Sequence, residues 1–200
     1  MIHRITAWLL VGLLASGGLG GCSKEGAKFQ ASDITGASFG RDFALQDHTG
    51  KPRTLADYRG RAVVIFFGYT QCPDACPTTL SALAEAMKKL GPDADRVQVL
   101  FVTVDPARDT RELLSAYVPA FDPRFVGLHG DAAATERVAR EFKVLYQKQP
   151  GATPASYTVD HSTGTFMFDP QGRLRVYVSH GQSPDVFAHD LRALLRESPG

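Results

Sequence analysis

The sequence predicts an α/β fold built on a mixed central sheet with helices on its flanks. Residues 62–67 (AVVIFF) and 97–104 (VQVLFVTV) are nearly unbroken apolar runs, so both read as strands covered on both faces. Segments with apolar residues at helical spacing lie between and after them, which alternates strand with helix. Near the end, 165–168 and 174–178 flank Asp169-Pro170-Gln171-Gly172. Proline fixes φ in that turn and glycine supplies a positive φ, so the last two strands form an antiparallel hairpin.

At 200 residues the chain has room for one core. A hydrophobic share of 44% with 22% charged residues excludes a wholly disordered, collagenous or multi-span membrane protein. Lys and Arg total 22 against 21 Asp and Glu. No excess of positive charge steers the chain toward nucleic acid. Three cysteines are too few for a disulfide scaffold, so each is asked separately what it does.

The N-terminus reads as a targeting segment. A short start ending in Arg4 precedes the uncharged apolar run 5–14 (ITAWLLVGLL), and small residues follow to Gly21. Leu19-Gly20-Gly21-Cys22 resembles the lipobox of bacterial lipoproteins, where cleavage leaves the cysteine lipidated at a new N-terminus. The run is shorter than the roughly 20 residues of a spanning helix. Residues 1–21 are therefore expected to be a signal peptide, Cys22 a lipid attachment site, 22–38 a flexible tether, and 39–200 the folded domain. That domain is expected outside the cytoplasm, on the periplasmic side, where thiol pairs tend to oxidise.

Along the domain, 42–45 and 51–55 form a hairpin across the turn Asp47-His48-Thr49-Gly50. After the first buried strand, Leu80, Leu83, Ala84, Met87 and Leu90 share one helix face, which Gly91-Pro92 ends. Asp109-Thr110-Arg111-Glu112 resembles a capping box opening a helix with Leu113, Leu114 and Tyr117. A short strand at 125–128 follows, then a helix capped by Asp131 with Ala134, Val138 and Phe142 in register. Residues 147–156 (QKQPGATPAS) read as a loop. Ser183-Pro184 opens the last helix, whose Phe187, Leu191, Leu194 and Leu195 face inward.

The chemistry lies in Cys72-Pro73-Asp74-Ala75-Cys76-Pro77, between the carboxyl end of the central strand and a helix, where α/β sheets place ligands. Pro77 at the first helical position would make Cys76 the N-cap, with a stabilised thiolate and a lowered pKa. Two sulfurs four residues apart can meet as a disulfide or as ligands of one metal, which then needs a third ligand from elsewhere. Of six histidines, His3 leaves with the signal peptide, and His48, His129, His180 and His189 read as surface or structural. His161 differs, because the loop ahead of 165–168 returns beside the cysteine-bearing turn in a sheet of this order.

Three motifs in order carry a resemblance: 67–78 (FGYTQCPDACPT), 104–110 (VDPARDT), and Asp160-His161 ahead of Phe168-Asp169-Pro170-Gln171-Gly172-Arg173. From about Phe39 to the last helix the chain resembles the SCO/SenC family of thioredoxin-like proteins, copper-handling factors for cytochrome c oxidase assembly. The resemblance implies a thioredoxin-like fold and one copper ion, Cu(I) or Cu(II), on Cys72, Cys76 and His161, with Asp160 a candidate to orient the histidine. It implies as partners the copper-bearing oxidase subunit and a thioredoxin-type thiol reductant that keeps the pair from closing as a disulfide. Two thiolates and an imidazole suit soft Cu(I) and also hold Cu(II), whereas closed structural zinc sites take four protein ligands. A competing reading makes the pair a thiol-disulfide oxidoreductase centre acting on a copper-site partner, and a further one makes it a redox or copper sensor. Against the reductase, the spacing is Cys-x-x-x-Cys and no proline occupies 161–166.

Overall fold

The computed structural model describes residues 28–153 and 156–197. The two apolar runs are its central strands. β4 (Ala62–Gly68) and β5 (Val97–Thr103) are buried at every position and pair in parallel, Ala62 opposite Val97. Their side chains alternate between two cores, as a pleated strand requires. Ala62, Val64 and Phe66 join the core under α1 (Ala75–Leu90) and α4 (Pro184–Glu197), while Val63, Ile65 and Phe67 face Phe142 and Phe168 on the other side.

With β1 (Ser32–Asp33), β2 (Leu45–Asp47), β3 (Pro52–Arg53), β6 (Val126–His129), β9 (Thr165–Phe168) and β10 (Leu174–Val178), the sheet runs β1-β10-β9-β4-β5-β6-β2-β3. Only β4–β5 and β5–β6 pair in parallel, so the expected mixed sheet is present. α2 (Arg111–Tyr117) adds Leu114 to the α1 side, and α3 (Ala132–Glu141) adds Val138 to the opposite side. Asp131 caps α3 as expected and accepts from the Ala134 amide, whereas α2 is capped one residue later than the expected Asp109 box, by Thr110, which accepts from the Leu113 amide. The Asp169 turn also forms as expected, with Gly172 at φ 69° and the buried Asp169 carboxylate accepting from the amides of Gln171 and Arg173.

Three larger differences from the sequence reading concern whole segments. Residues expected as a loop include β7 (Tyr146–Gln149), which pairs with β8 (Thr158–His161) in a separate two-stranded sheet. This hairpin lies over the surface and buries little, so its polar composition hides the strand. The fold also reaches back into the segment read as a tether. Ser32 and Asp33 pair with β10, and the amides of Gln30 and Ala31 donate to the buried Asp190 carboxylate, a partner about 160 residues away. Finally, α1 begins at Ala75, ahead of the expected start, with Asp74 in the cap position. Residues 1–21 and Cys22 lie outside the described residues.

Candidate metal centre

The cysteine-bearing turn is pinned before it reaches the first cysteine. Thr70 donates to Asp109 twice, from its amide at 3.0 Å and its hydroxyl at 2.6 Å, and Thr103 of β5 donates to the same carboxylate at 2.7 Å. Asp109 is fully buried, and burial pushes its carboxyl above the usual range against the pull of these donors. It therefore ties the turn to β5 and does not cap α2, where Thr110 alone serves. The turn then closes through the Cys72 amide, which donates to the Tyr69 carbonyl.

α1 delivers Cys76 into the core beneath the end of β4, where its side chain is 0% exposed. Gly68 leaves the room: a Cβ there would stand 2.6 Å from the Cys76 sulfur. The Cys76 amide, one of the unpaired donors of the first helical turn, points at Cys72 Sγ at 3.4 Å. From the other side β8 ends at His161, whose Nε2 lies 3.6 Å from Cys76 Sγ. Nδ1 of the same ring is 2.9 Å from the Ser162 carbonyl oxygen, an acceptor only, so Nδ1 carries the proton and Nε2 keeps its lone pair toward the sulfurs. Phe66 and Tyr69 meet the imidazole edge-on, with centroids at 6.4 and 5.9 Å. The ligand atoms of Cys72, Cys76 and His161 all lie within 4.8 Å of one another, and both thiols are free.

The electrostatics reverse the roles expected of the cysteines. Cys72 takes the anionic place at the helix start. A hydrogen bond from the Cys76 thiol and the amides of Asp74 and Cys76 bring its pKa down to about 4 against the cost of burial. The same pairing, with burial, pushes the Cys76 thiol up. The lowered thiol is thus the half-buried Cys72 and not Cys76, because the helix starts early enough to carry Cys76 past the cap position and into the core.

A pH profile tests this. Because the Cys72 pKa is depressed, its thiolate persists as pH falls until about 4. Alkylation of Cys72 by iodoacetamide is expected to be nearly flat from pH 6 to 8, whereas an ordinary thiol of pKa ~8.5 gains roughly a hundredfold in that interval. Cys76 stays unmodified meanwhile. Peptide mass spectrometry with timed quenching reads both sites, and a steep rise at Cys72 would overturn the assignment.

Of the remaining expectations, Asp160 is exposed and accepts from the Gln149 side chain at 2.8 Å, so the Ser162 carbonyl, and not Asp160, orients the imidazole. His48 accepts from the Gly127 amide, and His189 pairs with Asp190, both structural contacts. Sequence reasoning assigned no role to Gly68, Tyr69 or Ser162, and gave Asp109 to a helix cap. The motif 104–110 was visible, at the carboxyl end of a strand beside the site, but a buried aspartate reads in a sequence like a surface one.

Two sulfurs and one imidazole nitrogen, without a carboxylate, form a soft donor set of three. That composition fits Cu(I), and with an added ligand Cu(II). Hard cations such as Mg²⁺ and Ca²⁺, which need oxygen, do not fit.

Comparison with known proteins agrees. The SCO1/SenC family model matches residues 31–196. The chain is similar to the mitochondrial SCO2 homologue of Bos taurus, at 37% identity over 195 residues, 92% of this chain and 73% of that protein. It spans only 55–60% of the length of the mouse, human and zebrafish counterparts. Among solved structures it resembles Bradyrhizobium japonicum ScoI with copper bound, at 38% identity and a TM-score of 0.71, covering 79% of this chain and all of that one. It also resembles apo Sco1 of Thermus thermophilus, at 41% identity and a TM-score of 0.76, covering 84% of this chain and 98% of that one. The fold is thereby thioredoxin-like, as the resemblance implied. A match over the whole described sheet and all four helices, with the two cysteines and the distal histidine meeting at one point, establishes that this chain belongs to the SCO1/SenC family.

Proposed function

We propose that this protein is a copper carrier that receives one copper ion on Cys72, Cys76 and His161 and passes it to the copper-bearing subunit of cytochrome c oxidase. The convergence of two thiols and an imidazole lone pair within 4.8 Å carries the reading. The relative from Bradyrhizobium, solved with copper bound, supports it. Three protein ligands leave a coordination position through which an acceptor's ligand can enter before the carrier's ligands leave. Transfer then proceeds without free copper. Attachment to the membrane is assigned to lipidated Cys22 on the strength of the lipobox-like run Leu19-Gly20-Gly21-Cys22. The domain would work on the extracytoplasmic side, with a thioredoxin-type reductant returning any Cys72–Cys76 disulfide to the dithiol that binds copper.

One observation favours a second reading. A thiolate at Cys72 with a protonated neighbour is also an exchange centre: Cys72 attacks a partner disulfide, Cys76 resolves the mixed disulfide, and the partner leaves as a dithiol while the pair is oxidised. His161→Ala separates the readings. Under the carrier reading the reduced variant loses copper to a competing chelator at least ~10-fold more readily, a change of about 1.4 kcal/mol or more, with its thiol exchange rate held within about twofold. Equal copper retention with and without His161 would favour the reductase.

A further inference from the structure

The two halves of the metal centre are carried by parts of the fold that share no strand ladder. Cys72 and Cys76 hang from the eight-stranded sheet through β4 and α1, whereas His161 belongs to the separate β7–β8 hairpin. Three residues join His161 to β9, whose Thr165 pairs with Phe66 of β4, so that end of the hairpin is tethered to the sheet, and side-chain contacts between hairpin and sheet set the rest of the distance from imidazole to sulfur. Arg108, from the turn after β5, reaches both. One terminal nitrogen donates to the Gln71 side chain at 3.0 Å, in the residue before Cys72, and to the Tyr157 carbonyl at 2.8 Å, in the residue before β8.

The guanidinium is held where it can do this. Its Nε donates to Asp105, which is fully buried, and Tyr157 donates its hydroxyl to the same carboxylate at 2.7 Å. The guanidinium carbon sits 3.6 Å from the Tyr157 ring centroid and 5.6 Å from that of Tyr69, the ring that meets His161 edge-on. Its other terminal nitrogen is buried and has no partner among the described residues. A planar fork is suited to bonding on several sides at once, which a lysine ammonium on a flexible stem is not.

We propose that Arg108 is a positioning residue that fixes the histidine-bearing hairpin against the cysteine-bearing turn, and so sets how firmly His161 completes the copper site. It touches no ligand atom. Its influence passes through Gln71, Tyr157 and Tyr69, and the inference rests on the copper-carrier reading for its functional consequence. Removing the clamp leaves both thiolates in place but frees the hairpin, so the imidazole is the ligand that loosens.

The test is a double-mutant cycle on the full chain, with Cu(I) loss to bicinchoninate as the readout. Arg108→Gln is expected to release copper roughly 10-fold faster than wild type, the lower end of what loss of a supporting contact costs a metal site, and its Cu(II) form to lose nitrogen hyperfine coupling. Because Arg108 acts through His161, the Arg108→Gln/His161→Ala double variant should release copper no faster than His161→Ala alone. Multiplied effects in the double variant, or an Arg108→Gln rate equal to wild type, overturn the proposal. Gln71→Ala, at an exposed position with no risk to folding, cuts one arm and should accelerate release about two- to threefold, again only when His161 is present. Amide exchange in the copper-free protein supplies a reading independent of metal: β8 amides should exchange at least ~10-fold faster in Arg108→Gln, with β4 and β5 unchanged. If wild type itself released copper as fast as His161→Ala, the carrier reading would fall, and β8 exchange would still decide whether Arg108 holds the hairpin.

Discussion

Cys76→Ser is expected to abolish stoichiometric copper binding. The reduced wild-type protein should hold about one copper, and the variant should fall in affinity by a factor on the order of a thousand, about 4 kcal/mol. A serine hydroxyl stays protonated near neutral pH and offers a hard oxygen where Cu(I) takes sulfur, so only one thiolate and an imidazole remain. Position adds to the loss. Cys76 is the fully buried member of the pair, its sulfur between the end of β4 and His161 Nε2, and among the described residues Cys72 is the one other cysteine. The hydroxyl also enters an apolar pocket and should lower the stability of the copper-free protein by about 1–2 kcal/mol. A chelator of known affinity measures the first effect and urea unfolding without copper the second. The Cys72 thiol of the variant should remain reactive, which separates loss of the site from loss of the fold. One tightly held copper in Cys76→Ser would place the metal elsewhere.

Much of this architecture is legible in the sequence because it is driven by apolar burial. The run at β4, the helical spacing of α1 and α4, and the Asp169 turn each leave a local pattern, and each forms close to its expected bounds. Structure made by buried polar groups leaves none. Asp105, Asp109 and Asp190 are all 0% exposed, each accepting from donors far along the chain. Asp190 holds the N-terminal strand that reads as tether, and Asp109 holds the turn that leads to Cys72. The resemblance named Cys72, Cys76 and His161 as candidate ligands and the structure brings the three together, while the division of labour between the thiols left no sign in the sequence. It depends on whether α1 starts at Ala75 or two residues later, a shift that moves Cys76 from the helix cap into the core and passes the anionic place to Cys72.

Gly68→Ala should weaken both the fold and the site, and the two losses can be told apart. Gly68 closes β4, and its carbonyl accepts from the Val104 amide at 2.8 Å, which fixes the backbone just before the cysteine turn. An alanine Cβ would lie 2.6 Å from Cys76 Sγ and 2.9 Å from Phe101 Cε2. Both neighbours are fully buried, so neither can swing into solvent. Overpacking of this kind costs about 1–3 kcal/mol, read as a lower urea midpoint for the copper-free protein. The strand is locked on both sides by β5 and β9, so much of the relaxation must come from the sulfur, which moves relative to His161 Nε2. Copper affinity is therefore expected to drop roughly 10-fold or more beyond any loss of stability, since supporting contacts of a metal site are worth about that much. Gly127→Ala is the control. Its Cβ would press on Leu114 at 3.1 Å and Val118 at 3.3 Å, against α2 and the turn that follows it, and on no sulfur or imidazole of the site. That variant should unfold more easily yet hold copper as wild type does while folded. If the two variants lost stability and kept copper alike, packing above Cys76 would not govern the site, and the missing side chain at Gly68 would serve the fold alone.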